Sequence, residues 1–306
     1  MTLFLQLVIG ALMVSCLYTL VAVGFTMYVG VINLANFSHG DTCVMGAFLL
    51  MPLFILASSL GWLGSLGTAV IVSLFLLISV LTGMWGAFVY RILVKPLLNS
   101  PRLILLLATV AAGQVIRETI RIIYPNGSNP QVFPKILPMG DLTLGEVTIG
   151  YDAITILGLT IVIIIALNFI IQRTRIGLAM RAVSQNSDVA QMMGINIDKT
   201  VTIVFVIGSL LAGLTGLLNG SYYGITKFSI GSSLGIKGFS AAVIGGLGNF
   251  YGAVIGGFLL GFIEVFTAAY IPNGSPYQDV FSFLAVIIFL LFRPRGILGE
   301  KIFEKV

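Results

Sequence analysis

Between residues 1 and 90 the sequence carries a single formally charged side chain, Asp41. A run that long with no charged face cannot be the surface of a water-soluble domain. It suits a bilayer, where a spanning helix needs about 20 consecutive apolar residues. Three embedded segments fit it, from roughly Leu3 to Val31, Thr42 to Leu60 and Leu66 to Tyr90. The remainder continues in the same manner: the 306 residues are 58% hydrophobic and 9% charged, where soluble domains carry about 25% charge. The expectation is an all-α polytopic integral membrane protein, residues 1–306 forming one transmembrane domain. Its length allows about 8–10 transmembrane or re-entrant helices. The N-terminus MTLFLQL lacks a positive leader region, so its first segment is expected to stay in the membrane.

The formal charge of +5 resides mainly in the loops, which suits anionic headgroups and orientation in the bilayer, not nucleic acid. Cys16 and Cys43 lie in apolar runs without a CxxC or a neighbouring histidine and read as buried free thiols. His39 is the only histidine and has one acid beside it, so it reads as a hydrogen-bonded structural residue. No metal site or cofactor is expected. The absence of any Gly-Lys dipeptide excludes a P-loop. Neither a nucleophile elbow nor a carboxylate series is present, so the chain reads as a non-catalytic subunit whose ATP, if transport uses it, is hydrolysed elsewhere.

Polar residues within apolar surroundings mark the candidate sites. In GVINLANFSHGD, residues 30–41, Asn33, Asn36, Ser38, His39 and Asp41 must be paired or must line a water-filled cavity if they lie at membrane depth. A broken or re-entrant helix and a plain interfacial turn both fit. Leu103 to Ile123 is the next span, with Arg117, Glu118 and Arg121 expected to pair among themselves or to reach the interface. Residues 124–151, rich in Pro, Gly and Asn, read as an extracytoplasmic loop with a hairpin in DLTLGEVTIG, either a receptor-docking surface or a solvated connector.

Residues 172–200 form the one long water-exposed helical stretch between apolar blocks. Ser187 is the expected N-cap of a short helix with Asp188 in its first turn and Gly194 as its C-cap. Ile176, Met180 and Val183 supply an apolar face upstream, and Arg173, Arg175 and Arg181 place the stretch in the cytoplasm. Asp198 is expected to cap the following helix, Thr200 to Gly220, where Gly208, Ala212, Gly216 and Gly220 recur every four residues for close helix packing. Residues 238–262 are dense in glycine, with Gly245, Gly246, Gly248, Asn249 and Gly252 breaking any helix into two crossings or a re-entrant pair. Beyond them Glu264 is an intramembrane acid, a functional candidate or a partner of Lys237.

Four blocks, in order, carry a resemblance. SCLYTLVAVGFTMYVGVINLANFSHGDTCVMGAF, RTRIGLAMRAVSQNSDVAQMMGI, KGFSAAVIGGLGNFYGAVIGGFLLG and RPRGILG are similar to the LivH-type membrane subunit of the branched-chain amino acid ABC importers. Ser38 and Asp41 stand where that family has Ala and Glu. Asp188, Ala190 and Gly194 resemble the EAA-x-x-x-G coupling pattern of importer permeases. The resemblance implies an ABC importer permease (LivH/LivM-type) fold in the bacterial cytoplasmic membrane. It implies partners in two ABC ATPase subunits, a second, LivM-type permease subunit and an extracytoplasmic substrate-binding protein. Arg181, Asp188, Ala190 and Gly194 would then belong to the segment coupling to the ATPases. Asn33, Asn36, His39, Asp41, Asn249 and Glu264 are candidates for lining or shaping the path. Leucine, isoleucine and valine are the implied substrates, with urea, short amides or an ATP-independent channel as alternatives.

Overall fold

A computed structural model describes residues 2–62, 67–145, 147–272 and 274–299. The expected start of the third span at Leu66 lies outside them. The long helix α1 (Thr2–Ile32) forms the centre, buried without interruption from Met13 to Tyr28. Around it stand α2 (Ser38–Ser59), α3 (Gly67–Val89), α5 (Arg102–Ile123), α6 (Tyr151–Arg173), α9 (Ile197–Tyr223) and α11 (Phe250–Tyr270). A π turn, Tyr90–Val94, carries α3 into one further turn, α4 (Lys95–Leu97). Seven of these helical stretches, α3 and α4 counting as one, are long and apolar enough to cross a membrane. Two shorter apolar helices, α10 (Ile230–Gly245) and α12 (Gln278–Phe292), complete the bundle among the described residues.

Close packing here rests on small side chains, because in lipid there is no hydrophobic drive between helices and backbones must approach for dispersion and hydrogen bonding to act. Along α1 and α11, Gly257 meets Thr19 and Gly261 meets Ser15, and the Ser15 hydroxyl donates to the Phe258 carbonyl at 3.0 Å. The four-residue stripe on α9 packs within the chain itself. Gly208 lies against the Tyr28 ring and Gly220 against Phe133, while a Cβ at Gly216 would stand 1.7 Å from the Cys43 carbonyl oxygen. Opposite these contacts the bundle is apolar, as on α6, where Val162, Ile165 and Phe169 are exposed. Apolar side chains at that depth need no water.

The glycine-dense region is two helices joined at a tight corner. Gly246 (φ +108°) and Gly248 (φ +87°) adopt backbone conformations closed to most side chains. The first helix begins at Ile230, earlier than the glycine density suggests. At the corner, Ile297 and Leu298 of the tail donate their amides to the carbonyls of Ile244 and Gly245, each at 2.9 Å, satisfying groups the end of α10 leaves unpaired. Away from this corner, β2 (Asp141–Leu144) and β3 (Val147–Gly150) form the expected antiparallel hairpin, with Leu142 opposite Ile149. A second short pair, β1 (Gln131–Val132) with β4 (Ile225–Thr226), ties the same loop to the end of α9.

Candidate functional site

The 172–200 stretch folds as two capped helices, α7 (Arg175–Gln185) and α8 (Ser187–Met192). Thr174 caps α7, its hydroxyl accepting from the Gly177 amide at 3.1 Å. Asn186, not Ser187, caps α8: its side-chain oxygen accepts from the amides of Asp188 at 3.0 Å and Val189 at 3.1 Å. The extended backbone of Asn186 (φ −160°) makes it the residue outside the helix, so Ser187 becomes the first one inside. The same correction applies one helix on. Asn196 caps α9 by accepting from the Lys199 amide at 2.9 Å, while Asp198 turns to Tyr90 Oη at 2.9 Å and Lys95 Nζ at 3.0 Å. Asp198 therefore ties the start of α9 to the end of α3 and α4.

Gly194 closes α8 as expected, in the left-handed region at φ +83°. The Gly194 amide bonds to the Gln191 carbonyl and the Ile195 amide to Ala190, the paired pattern of a Schellman stop. Met180 and Val183 are buried as the apolar face requires, but Ile176 is exposed and Gly177 takes its place against the carbonyls of Ile170 and Ile171. Arg181 donates to the Ile171 carbonyl, fastening α7 to α6. Ala190 is buried, whereas Asp188 points outward. Beside Asp188, Val189, Met192 and Met193 are 52%, 86% and 78% exposed, an apolar patch on a helix of six residues. Val189 stands at the first alanine of the coupling pattern, whereas Met192 and Met193 fall at its unspecified positions.

The polar group between α1 and α2 divides. Asn33 is exposed with φ +53°, which turns the chain out of α1. Asn36 is buried and its side-chain oxygen accepts from the Ser38 amide at 3.2 Å and hydroxyl at 2.7 Å, so it organises the start of α2. That start lies inside the bundle, with Ser38, His39 and Asp41 almost fully buried, which favours the broken-helix geometry over an interfacial turn. His39 stands edge-on to Phe25 and Tyr28 at centroid distances of 5.0 and 5.5 Å, in a recess that exists because residue 24 is glycine. Asp41 pairs with Arg117 Nε at 3.2 Å, and Arg117 Nη1 donates to Ser232. Arg121 does pair with Glu118, at 2.6 Å, but Arg117 leaves that group for Asp41. Asp41 as the one formal charge on α2, and two arginines against one glutamate at the end of α5, were the available signal.

Glu264 is not isolated. Lys237 Nζ lies 2.9 Å from Glu264 Oε1, 2.7 Å from Asp279 Oδ1 and 3.0 Å from Tyr18 Oη, and the Tyr18 hydroxyl donates to Glu264 at 2.8 Å. The cluster joins α1, α10, α11 and α12. Asn249 lies apart from it, capping α11 by accepting from the Gly252 amide at 2.9 Å. Of the six path candidates, Asn36, His39 and Asp41 share the buried start of α2, while Asn33, Asn249 and Glu264 stand elsewhere. No group of three or more potential metal-ligating side chains occurs among the described residues.

Among the described residues, seven apolar helices of spanning length around a tightly packed core, with the buried charges Asp41, Lys237 and Glu264 partnered, define a multi-pass membrane protein. A family model described as branched-chain amino acid transport system / permease component matches residues 7–291, and the chain belongs to that family. It is 34% identical over 307 residues to the high-affinity branched-chain amino acid transport system permease protein BraD of Pseudomonas aeruginosa, covering 99% of this chain and 98% of that one. It is 32% identical over 316 residues to LivH of Escherichia coli K12, covering 99% and 98%. With a probable LivH of Methanocaldococcus jannaschii it shares 27% over 216 residues, 68% of this chain and 63% of that one. No solved structure gives a significant match.

Proposed function

We propose that this chain is the permease subunit through which an ABC importer passes branched-chain amino acids, driven by ATPase subunits that seat on α7 and α8. The carrying observation is the build of α8. It is capped at both ends, and it presents Val189, Met192 and Met193 outward where a structural helix would bury them. Exposed apolar side chains gathered in one place mark an interaction surface, and methionine adapts its shape to a partner groove.

The fastenings around α8 support a transmitting role. Arg181 holds α7 to α6, Ala190 seats α8 on its neighbours, and Asp198 holds α9 to the end of α3 and α4. A push on α8 would therefore be delivered to several spans at once and not absorbed in a slack loop. On this reading residues 172–200 are cytoplasmic and residues 124–151 extracytoplasmic. The chain itself hydrolyses nothing, a second permease subunit completes the path, and a substrate-binding protein delivers leucine, isoleucine or valine.

The test is co-expression with candidate ATPase subunits, comparing the native chain with one whose 186–195 segment is scrambled. Co-purification lost only in the scrambled chain supports the reading. Equal recovery of ATPase with both chains sinks it.

A further inference from the structure

The helix α5 carries a stripe the bundle does not cover. Gln114, Glu118 and Arg121 fall on one helical face, linked by hydrogen bonds from Gln114 Nε2 to Glu118 at 3.3 Å and from Arg121 to Glu118 at 2.6 Å. Gln114 lies twelve residues into the helix, about 18 Å along its axis, so the stripe starts near mid-membrane. Beside it, Arg117 reaches across to α10, where Ser232 receives its Nη1 and Ser233 next door is exposed. Exposed apolar side chains of α5, among them Val115 and Ile122, accompany this stripe on its other flank.

Glu118 and Arg121 lie toward the outer end of α5, but an amide at the depth of Gln114 faces protein or water, because hydrocarbon leaves it unsatisfied. Here all three turn away from their own bundle. Arg117 is fixed by a buried carboxylate, Asp41, and by Ser232, yet its side chain remains 22% exposed. No described residue bonds to Nη2. A guanidinium so held offers its remaining donors in a rigid fork that matches a carboxylate.

We propose that the outer half of α5 with the start of α10 is this chain's wall of the translocation passage, and that Arg117 meets the carboxylate of the passing amino acid there. The inference rests on the reading of the chain as an amino acid permease. Gly113 and Gly231 bring Asp41 to its place, since a Cβ at either would stand 2.3 or 2.6 Å from an Asp41 carboxylate oxygen. Asp41 and Ser232 are positioning residues on this account.

The test uses the assembled transporter with its ATPases and second permease subunit, in proteoliposomes. Single cysteines replace Gln114, Ser233 and Val115 and are treated with a membrane-impermeant methanethiosulfonate. Native Cys16 and Cys43 are buried and give the background. Residues 114 and 233 should react more than tenfold faster than 115; equal or absent reaction at 114 and 233 means lipid or a dry subunit contact covers the stripe, and overturns the wall. In the same complex R117Q should cut uptake of leucine at least tenfold, with R117K recovering part of it. The double variant D41N/R117Q separates roles: if pairing with Asp41 is all Arg117 does, the neutral pair restores uptake and the carboxylate assignment falls. If the cysteine variants label as expected but the native complex takes up no amino acid, the permease reading fails and takes the assignment of Arg117 with it.

Discussion

Lys237 on α10 stands 2.9 Å from Glu264 on α11, and both side chains are buried among four helices. Neither charge has water to fall back on. Removing one partner from a buried pair costs about 3–5 kcal/mol, whereas replacing both with apolar residues is often close to neutral. Lys237→Met alone should therefore lower the thermal midpoint of the purified protein strongly, and Glu264→Gln less, since Asp279 and Tyr18 remain on Lys237. Lys237→Met with Glu264→Leu should recover part of the loss. A double variant no better than Lys237→Met would show that the cluster does not act as a pair.

At Gly216 there is no room. With the Cys43 carbonyl 1.7 Å from where its Cβ would sit, Gly216→Val should yield no monodisperse protein. Gly10, on the same bundle, has nothing within 4 Å. Gly10→Ala should be tolerated and slightly stabilising, since alanine is favoured over glycine in a helix by about 1 kcal/mol. Size-exclusion profiles of both variants check the contrast.

Gly194 is free of neighbours but strained for any other residue. A β-branched side chain forced into its left-handed backbone costs about 1–3 kcal/mol. Gly194→Val should insert normally and still lose coupling between ATP hydrolysis and uptake in the reconstituted importer, because α8 would end differently. Uptake per ATP equal to the native value would remove Gly194 from the coupling argument.

Asn186 rather than Ser187 holds the start of α8. Asn186→Ala should cost about 1 kcal/mol of local stability, the usual worth of a cap. Amide exchange at Asp188 and Val189 should quicken several-fold, with Ser187→Ala having little effect. The reverse order would return the cap to Ser187.

Met192 and Met193 are the most exposed apolar residues of the segment. Replacing both by Asp should abolish recovery of ATPase subunits without altering the amount of inserted chain. Unchanged recovery would place the seat elsewhere.

Periodicity and turn chemistry made the helices, the hairpin at 141–150, the left-handed stop at Gly194 and the close-packed α9 stripe legible in the sequence. These depend on local rules, and local rules survive folding. The caps were misplaced by one or two residues because Ser187 and Asp198 compete with neighbouring asparagines, and only backbone angles decide which residue stands outside the helix. Glu264 with Lys237 was one of the pairings the sequence left open, but that Asp41 meets Arg117 and that Tyr18 and Asp279 join Lys237 could not be read. Asp41 and Arg117 lie on different helices, and Lys237 gathers Tyr18, Glu264 and Asp279 from three others. Such partnerships follow from helix arrangement, which spacing along one segment does not encode.

The backbone bonds from Ile297 and Leu298 to the end of α10 bear on how the protein is made. Helices enter the membrane in order, so the glycine corner after α10 is laid down before α11 and α12 and long before the residues that close it. Until the tail folds back, the carbonyls of Ile244 and Gly245 stay unpaired and the space beside Gly246 stays open. A chain halted during biogenesis after α11 would display that open corner, its carbonyls unpaired, so the last residues made are the ones that complete the bundle.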